Sequence, residues 1–310
     1  MEGIARTKGG SSRAARPAVD WPTVGVALGT YLTFGIVTWF YHALPWWVVL
    51  PAGGYLVCLH GSLQHEAVHG YPTRLRWLNT LIVLPSLWLW LPYTSYRETH
   101  LAHHRDEYLT SPMVDPESNY LTSGQWRAFG PVRRAVRRAM ATLLGRLALG
   151  PPYFAATTME TLARAIRRRD GHQLRHWLMH LPGVAIVLVW VLAVCRIPFG
   201  EYVLLFVYPG VALTLMRSFA EHRAGNEVTA RTAITESGPL MSLAYLNNNL
   251  HLVHHIDPKA PWHRRAATYR ARRSEFVAMN QGYVIHGYRE LLMRYLIRPK
   301  EPVLHPFDAT

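Results

Sequence analysis

Cysteine is scarce in this sequence of 310 residues, in which Cys58 and Cys195 are the only two. Both lie inside apolar segments, so the sequence predicts neither a disulfide framework nor a thiolate metal site. If the chain carries out redox chemistry, its electrons must therefore come from another protein.

Acidic residues and lysine are also few. The chain has 19 Asp and Glu against 33 Lys and Arg, a formal net charge of +14, and only Lys8, Lys259 and Lys300 are lysines, which leaves 30 arginines. A basic excess of this size is typical of proteins that bind nucleic acid, an anionic membrane surface or an acidic partner. The long apolar runs favour the last two, so we expect no nucleic-acid partner.

Apolar runs dominate the rest of the composition, and four are long enough to cross a bilayer: residues 21–41, 44–63, 177–195 and 202–219. They predict an all-α integral membrane protein with four transmembrane helices. Two further runs are not predicted to span, because residues 77–92 are short and contain Pro85, and residues 140–159 contain Arg146. We expect both to be re-entrant or interfacial.

The distribution of charge orients the four spans. The N-terminal tail, the loop of residues 64–176 and the C-terminal segment lie on one side, together with nearly all the Lys and Arg. The positive-inside rule makes that side the cytosol, which then contains both termini. Residues 1–20 are polar and basic and are predicted to be a disordered cytosolic tail, followed by a single domain of residues 21–310. The preference for arginine is typical of GC-rich bacterial genomes, so we expect a multi-pass protein of a bacterial inner membrane.

The first histidine motif lies where the second apolar run becomes polar, and it reads H-E-A-V-H at residues 65–69. Taken alone, H-E-x-x-H is typical of zinc hydrolases, with both histidines on zinc and Glu66 as the general base. Such an enzyme needs only one more ligand, whereas two further histidine clusters follow here. A zinc-dependent membrane hydrolase is therefore a remote alternative. His60 is a weaker candidate ligand, because it lies on a different helix face.

Two more motifs share the spacing H-x-x-H-H, one beginning at His100 and the other at His251. On a helix, the first and last histidines of such a motif share a face one turn apart. A zinc site is complete with four ligands, so nine imidazoles on one side of the membrane predict two metals, with positions left open for dioxygen or water. The candidate ligands are His65, His69, His100, His103, His104, His222, His251, His254 and His255.

Other polar residues near these motifs are predicted to act differently. The carboxylates beside the second motif, such as Glu98, are expected to hold ligands or form ion pairs rather than bind metal. The three asparagines at residues 247–249 either contact the site or form a polar turn. His172, His176 and His180 recur every four residues and are predicted to be interfacial residues.

These motifs resemble those of the membrane fatty acid desaturase family, within the histidine-box di-iron oxygenases that also include alkane hydroxylases and carotenoid ketolases. The resemblance covers about residues 40–300, with H-E-A-V-H, H-L-A-H-H and H-L-V-H-H as the three boxes and R-S-F-A-E-H supplying His222. It implies four transmembrane helices with a cytosolic helical cap that holds a histidine-rich site. It also implies two irons, cycling between Fe2+ and Fe3+, and O2 as co-substrate.

The resemblance implies O2-dependent desaturation of an acyl or lipid chain. Alternatives on the same scaffold are desaturation of a small amino-acid-derived metabolite or other secondary metabolite, and hydroxylation or ketolation of a lipid or carotenoid. No segment of the sequence resembles cytochrome b5 or a ferredoxin, so we expect a separate electron donor of one of these kinds. Arginine clusters at residues 133–138, 167–169 and 264–273 indicate a docking surface for an acidic donor or contacts with anionic headgroups.

Overall fold

The computed structural model describes residues 18–307, except for the side chain of Asp106. The first half of the described chain contains the helices α1 (Trp21–Trp39), α2 (Trp46–Val68), α3 (Arg76–Ile82), α4 (Tyr93–His103), α5 (Ser123–Ala128), α6 (Pro131–Ala139) and α7 (Leu143–Arg168). The second half contains α8 (Gly171–Leu188), α9 (Phe199–Tyr202), α10 (Tyr208–Glu221), α11 (Pro239–Ala244), α12 (His251–Ile256), α13 (Trp262–Ala271), α14 (Arg273–Met279) and α15 (Tyr288–Tyr295).

Three helical segments of the described chain are long and apolar enough to cross a membrane. They are α2, the segment Gly171–Val194 formed by α8 and its π-helical continuation, and the segment Phe199–Glu221, which runs from α9 into α10. These match the second, third and fourth predicted spans. α1 forms where the first span was expected, but its 19 residues include four threonines and three glycines, which lower its mean hydropathy, and it is not among the three. A fourth transmembrane helix stays a prediction.

Glycines allow α2 and α10 to pack closely. A Cβ atom on Gly210 of α10 would clash with Val57 of α2, and one on Gly54 of α2 would lie 2.9 Å from the Cβ atom of Pro209. Small residues at such a contact let two helix backbones approach and gain van der Waals packing, which drives helix association in lipid. The contacts advance in the same direction along both helices, so α2 and α10 are parallel.

The parallel packing brings together two chain segments that carry predicted site residues. α2 ends at Val68 and is capped by His69, and α10 ends at Glu221, with His222 next in the chain. The last turn of α2 is completely buried, which is unusual for a polar helix end and indicates that other elements cover it. The candidate site therefore lies at one end of the helix pair, beneath the segments that follow α10.

The two apolar runs that were not predicted to span differ in the structure, since one is interrupted and the other forms most of a continuous helix. Within residues 77–92, α3 ends at Ile82 and turns follow. α7 has 26 residues but contains Pro151 and Pro152, and it is not among the segments of the described chain that are apolar enough to span.

The described residues are mostly helical, as predicted, and the structure adds two details. Strands β1 (Ile234–Thr235) and β2 (Val284–Ile285) form a parallel pair beside the helices. Strands of two residues are too short to show the alternation from which strands are predicted. Within residues 1–20, which were predicted to be a disordered tail, Asp20 caps α1 and its Oδ1 atom lies 2.9 Å from Nε2 of His263. The rest of that tail, up to residue 17, lies outside the described residues.

Candidate metal centre

The nine predicted histidines lie together, in two groups. Within each group, one ring nitrogen from every member lies within 4.8 Å of those of the others. The first group, cluster A, consists of His65, His69, His100, His104 and His254, and the second, cluster B, of His103, His222, His251 and His255. The groups are adjacent, because the rings of His104 and His255 stack with their centroids 4.4 Å apart.

Helical spacing divides each H-x-x-H-H motif between the two clusters. In the motif at the end of α4, the first and last histidines join cluster A and His103 joins cluster B. In α12 the arrangement is reversed, since the first and last histidines join cluster B and His254 joins cluster A. Residues four apart share a helix face, whereas adjacent residues are rotated by about 100°. Each motif therefore contributes to both clusters and links them.

The Nε2 atoms inside each cluster point at one another. In cluster A, Nε2 of His104 lies 3.1 Å from Nε2 of His100 and 3.0 Å from Nε2 of His254. In cluster B, Nε2 of His251 lies 3.0 Å from Nε2 of His222. Nitrogen ligands about 2.1 Å from a metal are about 3.0 Å apart when they meet at right angles. The donor atoms are thus spaced to fit a metal in each cluster, and the converging lone pairs require a cation or a proton between them.

The opposite ring nitrogen of several cluster members is held by a carboxylate. Nδ1 of His103 lies 2.9 Å from Oδ1 of the buried Asp115, and Nδ1 of His100 lies 3.1 Å from Oε1 of the half-buried Glu117. Histidines that bind metals almost always engage their second nitrogen in this way, which fixes the tautomer and the ring orientation. These contacts leave Nε2 as the donor atom of both rings.

Asn248 joins the two clusters directly. Its side chain is fully buried, with Nδ2 3.3 Å from Nε2 of His65 in cluster A and Oδ1 3.2 Å from Nδ1 of His251 in cluster B. The preceding Asn247 has a positive φ of 55° and donates from Nδ2 to the carbonyl oxygen of Trp262. The asparagine run therefore forms both a site contact and a turn.

Glu66 is paired with a buried arginine. Nη1 of Arg265 lies 2.8 Å from Oε1 of Glu66 and Nη2 donates to Oε2 over 3.2 Å, and neither side chain is exposed. Oε1 of Glu66 also lies 3.2 Å from Nδ1 of His65. A carboxylate engaged on both oxygens is not free to activate water, so the geometry disfavours the zinc hydrolase. The prediction that Arg265 belongs to an exposed basic run is wrong, because α13 turns this residue inward.

A similar arrangement lies beside cluster B. Oε1 of Glu221 lies 3.2 Å from Nδ1 of His251 and 2.9 Å from Nε of Arg217, and all three residues are buried. Sequence reasoning noted the segment around His222 but gave no role to Glu221 or Arg217. Their spacing of four residues on α10 was the available signal, since it puts both on one helix face.

Burial sets the protonation of most cluster members. Burial lowers the pKa of His104, and the imidazole of His255 lowers it further. For His103 burial acts in the same direction, but the carboxylates of Glu117 and Asp115 outweigh it and raise the pKa to about 9. Because metals bind neutral imidazole, a metal in cluster B would displace that proton. Burial also lowers the pKa of His69, His100, His222, His251 and His254.

The remaining histidines near the motifs lie outside both clusters. His60 belongs to neither, and its ring contacts that of Tyr31, with centroids 5.9 Å apart. Nε2 of His180 lies 2.8 Å from the carbonyl oxygen of Leu89. Glu98, which was expected to support the second motif, instead contacts His172 and His176 of α8.

A cavity of about 180 Å³ is lined by parts of α2, α3, α4 and α8. Leu81, Val83 and Met179 contribute apolar walls, and Gln64 lines it next to His65 in the chain. The amide nitrogen of Gln64 and the hydroxyl of Ser86 are buried, and neither has a hydrogen-bond partner within residues 18–307. Unsatisfied buried polar groups are costly, so both are candidates to bind a ligand or water in the cavity.

The fold and the site define a helical protein that has apolar helices long enough to span a membrane and a candidate two-metal centre of histidines at their end. The model of the fatty acid desaturase family matches residues 41–287, which include all nine histidines. The chain therefore belongs to the fatty acid desaturase family, as its histidine boxes predicted, and membership implies an oxidoreductase. A search of curated proteins found no match.

Proposed function

We propose that the chain is an O2-dependent di-iron desaturase of a membrane, with the nine clustered histidines as its iron ligands. The observation that carries this proposal is the convergence of Nε2 atoms at 3.0 to 3.2 Å in two adjacent clusters. Soluble di-iron bundles use glutamate and Glu-x-x-His ligands, whereas these clusters offer imidazole nitrogens alone. Two adjacent clusters match the requirement for a pair of irons.

When bound, the irons and O2 would supply removal of two hydrogens from neighbouring carbons. The reaction balances as alkane, O2, two electrons and two protons giving alkene and two waters, with the electrons coming from a separate donor. The residues of the chain perform the other tasks. Asp115 and Glu117 orient the imidazole rings of His103 and His100. The buried surroundings of His103 and His254 keep bulk water away from the centre.

We place the reacting part of the substrate in the cavity that Gln64 lines, since Gln64 directly precedes His65 of cluster A. A cavity of about 150 Å³ accommodates a molecule as large as benzene, so this one holds a segment of substrate rather than a whole lipid. Its apolar walls suit an acyl chain. The unsatisfied groups of Gln64 and Ser86 favour a second candidate function, in which the substrate is a hydrophobic metabolite with a hydrogen-bonding group near the reacting carbon.

The role of Gln64 separates these two substrates. Gln64→Leu removes the unsatisfied amide and keeps the side-chain size. It should lower kcat/KM for a substrate that bonds to Gln64 by about tenfold or more, and leave it unchanged for an alkyl segment. Lipid and metabolite profiles of a host that expresses wild type or Gln64→Leu would identify the product and give the comparison.

An acidic electron donor, ferredoxin-like or cytochrome b5-like, is proposed to dock on α13. This helix packs on α12, which carries part of both clusters, and it presents Arg264 and Arg270 to solvent. Arg272 and Arg273 are less available, because each is paired with a carboxylate. The positive charge of the chain supports the cytosol as the side on which the centre and the donor meet.

Metal analysis and product mass test the proposal. We expect about two irons per chain, and a product lighter than its substrate by two hydrogens. A product heavier by one oxygen atom would indicate hydroxylase or ketolase chemistry, and a single zinc without iron would contradict the oxygenase. His42→Ala provides a control, since His42 contacts the carbonyl oxygen of Cys195 and lies in neither cluster.

A further inference from the structure

Glu98, His172 and His176 form a third group of possible ligands, distinct from clusters A and B. One ligand atom from each residue lies within 4.8 Å of those of the other two. The two histidines are four residues apart in the first turns of α8, and Glu98 lies on α4. His176 also lines the cavity proposed for the substrate, but none of the three is among the proposed iron ligands.

The carboxylate of Glu98 faces both imidazoles. Its Oε1 lies 3.3 Å from Nε2 of His172, and its Oε2 lies 3.3 Å from Nε2 of His176. Ligands about 2.1 Å from a tetrahedral metal are about 3.4 Å apart. The two oxygens of Glu98 therefore lie at about the spacing of neighbouring ligands from the two ring nitrogens, one oxygen to each. The rings of the two histidines lie in contact, with centroids 4.8 Å apart.

His176 distinguishes this group from an ordinary surface ion pair. The residue is only 6% exposed, and its Nδ1 lies 2.8 Å from the hydroxyl of Thr94. Its Nε2 is buried, faces the carboxylate and has no hydrogen bond to any part of the chain that the structure describes. A ring nitrogen held on one side, with an unsatisfied nitrogen on the other, is the arrangement of a metal ligand.

We propose that Glu98, His172 and His176 bind one divalent transition metal ion of the Zn2+ type. Two imidazoles and a carboxylate, with a fourth position open to water, are a known ligand set for this ion. His172 and Glu98 are half exposed, which gives the ion access from solution. The bound ion fastens α8 to α4, the helix that ends in the second histidine box, so its occupancy stabilises the support of both clusters.

The test compares the full chain after iron loading with the variants His172→Ala and Glu98→Gln. Zinc chloride is titrated calorimetrically, and zinc per chain is measured after desalting. Wild type should bind one more zinc than either variant, and zinc should raise its thermal unfolding midpoint more than theirs. The matched control is His286→Ala, because His286 is an exposed histidine whose Nδ1 lies 3.0 Å from Oε2 of Glu236. It should bind as much zinc as wild type.

Clusters A and B are unchanged in all four proteins, so the difference in zinc reports on this site whether or not the clusters take up iron. Equal zinc in wild type, His172→Ala and Glu98→Gln would overturn the proposal. Loss of one zinc in His172→Ala but not in Glu98→Gln would also overturn it, because the carboxylate would then not be a ligand. Similar thermal unfolding midpoints of the four proteins in the absence of zinc verify that the variants are folded.

Discussion

Arg265 offers a direct test of how the histidine clusters are held. Its guanidinium is fully buried and pairs with both oxygens of Glu66, which in turn contacts His65 of cluster A. Arg265→Met keeps an unbranched side chain of suitable length but removes the charge and every donor. Glu66 would then be a buried carboxylate without its counter-charge.

The expected loss of stability follows from the contacts of Arg265. Removing one partner of a buried ion pair costs about 3–5 kcal/mol. Arg265 also donates to the carbonyl oxygens of Leu246 over 3.2 Å and Ala260 over 3.4 Å, and each lost hydrogen bond adds about 0.5–1.5 kcal/mol. We therefore expect Arg265→Met to lower the free energy of unfolding by about 4–8 kcal/mol, a large part of the usual total of about 5–15 kcal/mol.

The assay is reversible unfolding in detergent, applied to Arg265→Met, Glu66→Gln and the double variant. The double variant should be more stable than the sum of the single effects predicts, because neither charge is then left alone. Arg272→Met is the matched control, since Arg272 pairs with Glu275 at the surface and its loss should cause no measurable change. An Arg265→Met protein within about 1 kcal/mol of wild type would refute the reasoning.

Three further predictions address the centre itself. His69→Ala and His255→Ala each remove a proposed ligand of one cluster. Each should reduce iron from about two to about one per chain and abolish product formation, and full iron content in either variant would contradict the assignment. Asp115→Asn should weaken metal binding by about 10–100-fold, measured by chelator competition, because the ring of its histidine loses its orientation. Single-turnover reduction by an acidic ferredoxin should slow as salt shortens the Debye length from about 10 Å to about 3 Å, and replacing Arg264 and Arg270 with Gln should flatten that dependence.

The histidine site could be predicted because helix geometry converts sequence spacing into direction. Histidines four apart in a helix face the same way whatever surrounds them, so each box was recognisable as part of a site. The division of the boxes between clusters could not be predicted. His103 and His254 cross to the opposite cluster only because α4 and α12 face each other, and that packing is a property of the folded chain.

The residues that hold the rings were harder to predict than the rings. Asp115 and Glu117 lie in the segment after α4, where no helical period links them to the histidines they contact. Proximity in sequence suggested Glu98 instead, but its position on α4 directs it toward α8 and the histidines there. The burial of Arg265 could not be predicted, because an arginine in a cluster of arginines is normally exposed. In the structure it is the counter-charge of the buried Glu66.

The same arrangement supports both clusters: an arginine pairs with a glutamate, and that glutamate contacts a histidine of the cluster. Arg265 acts through Glu66 on cluster A, and Arg217 acts through Glu221 on cluster B. In each case a guanidinium balances the carboxylate that orients an imidazole, so the ring is fixed without adding net negative charge. Carboxylate ligands, as in soluble di-iron bundles, would neutralise bound metal. Under the proposed function, imidazole ligands would themselves compensate less of the charge of bound iron than carboxylate ligands would, and this would favour the reduced state.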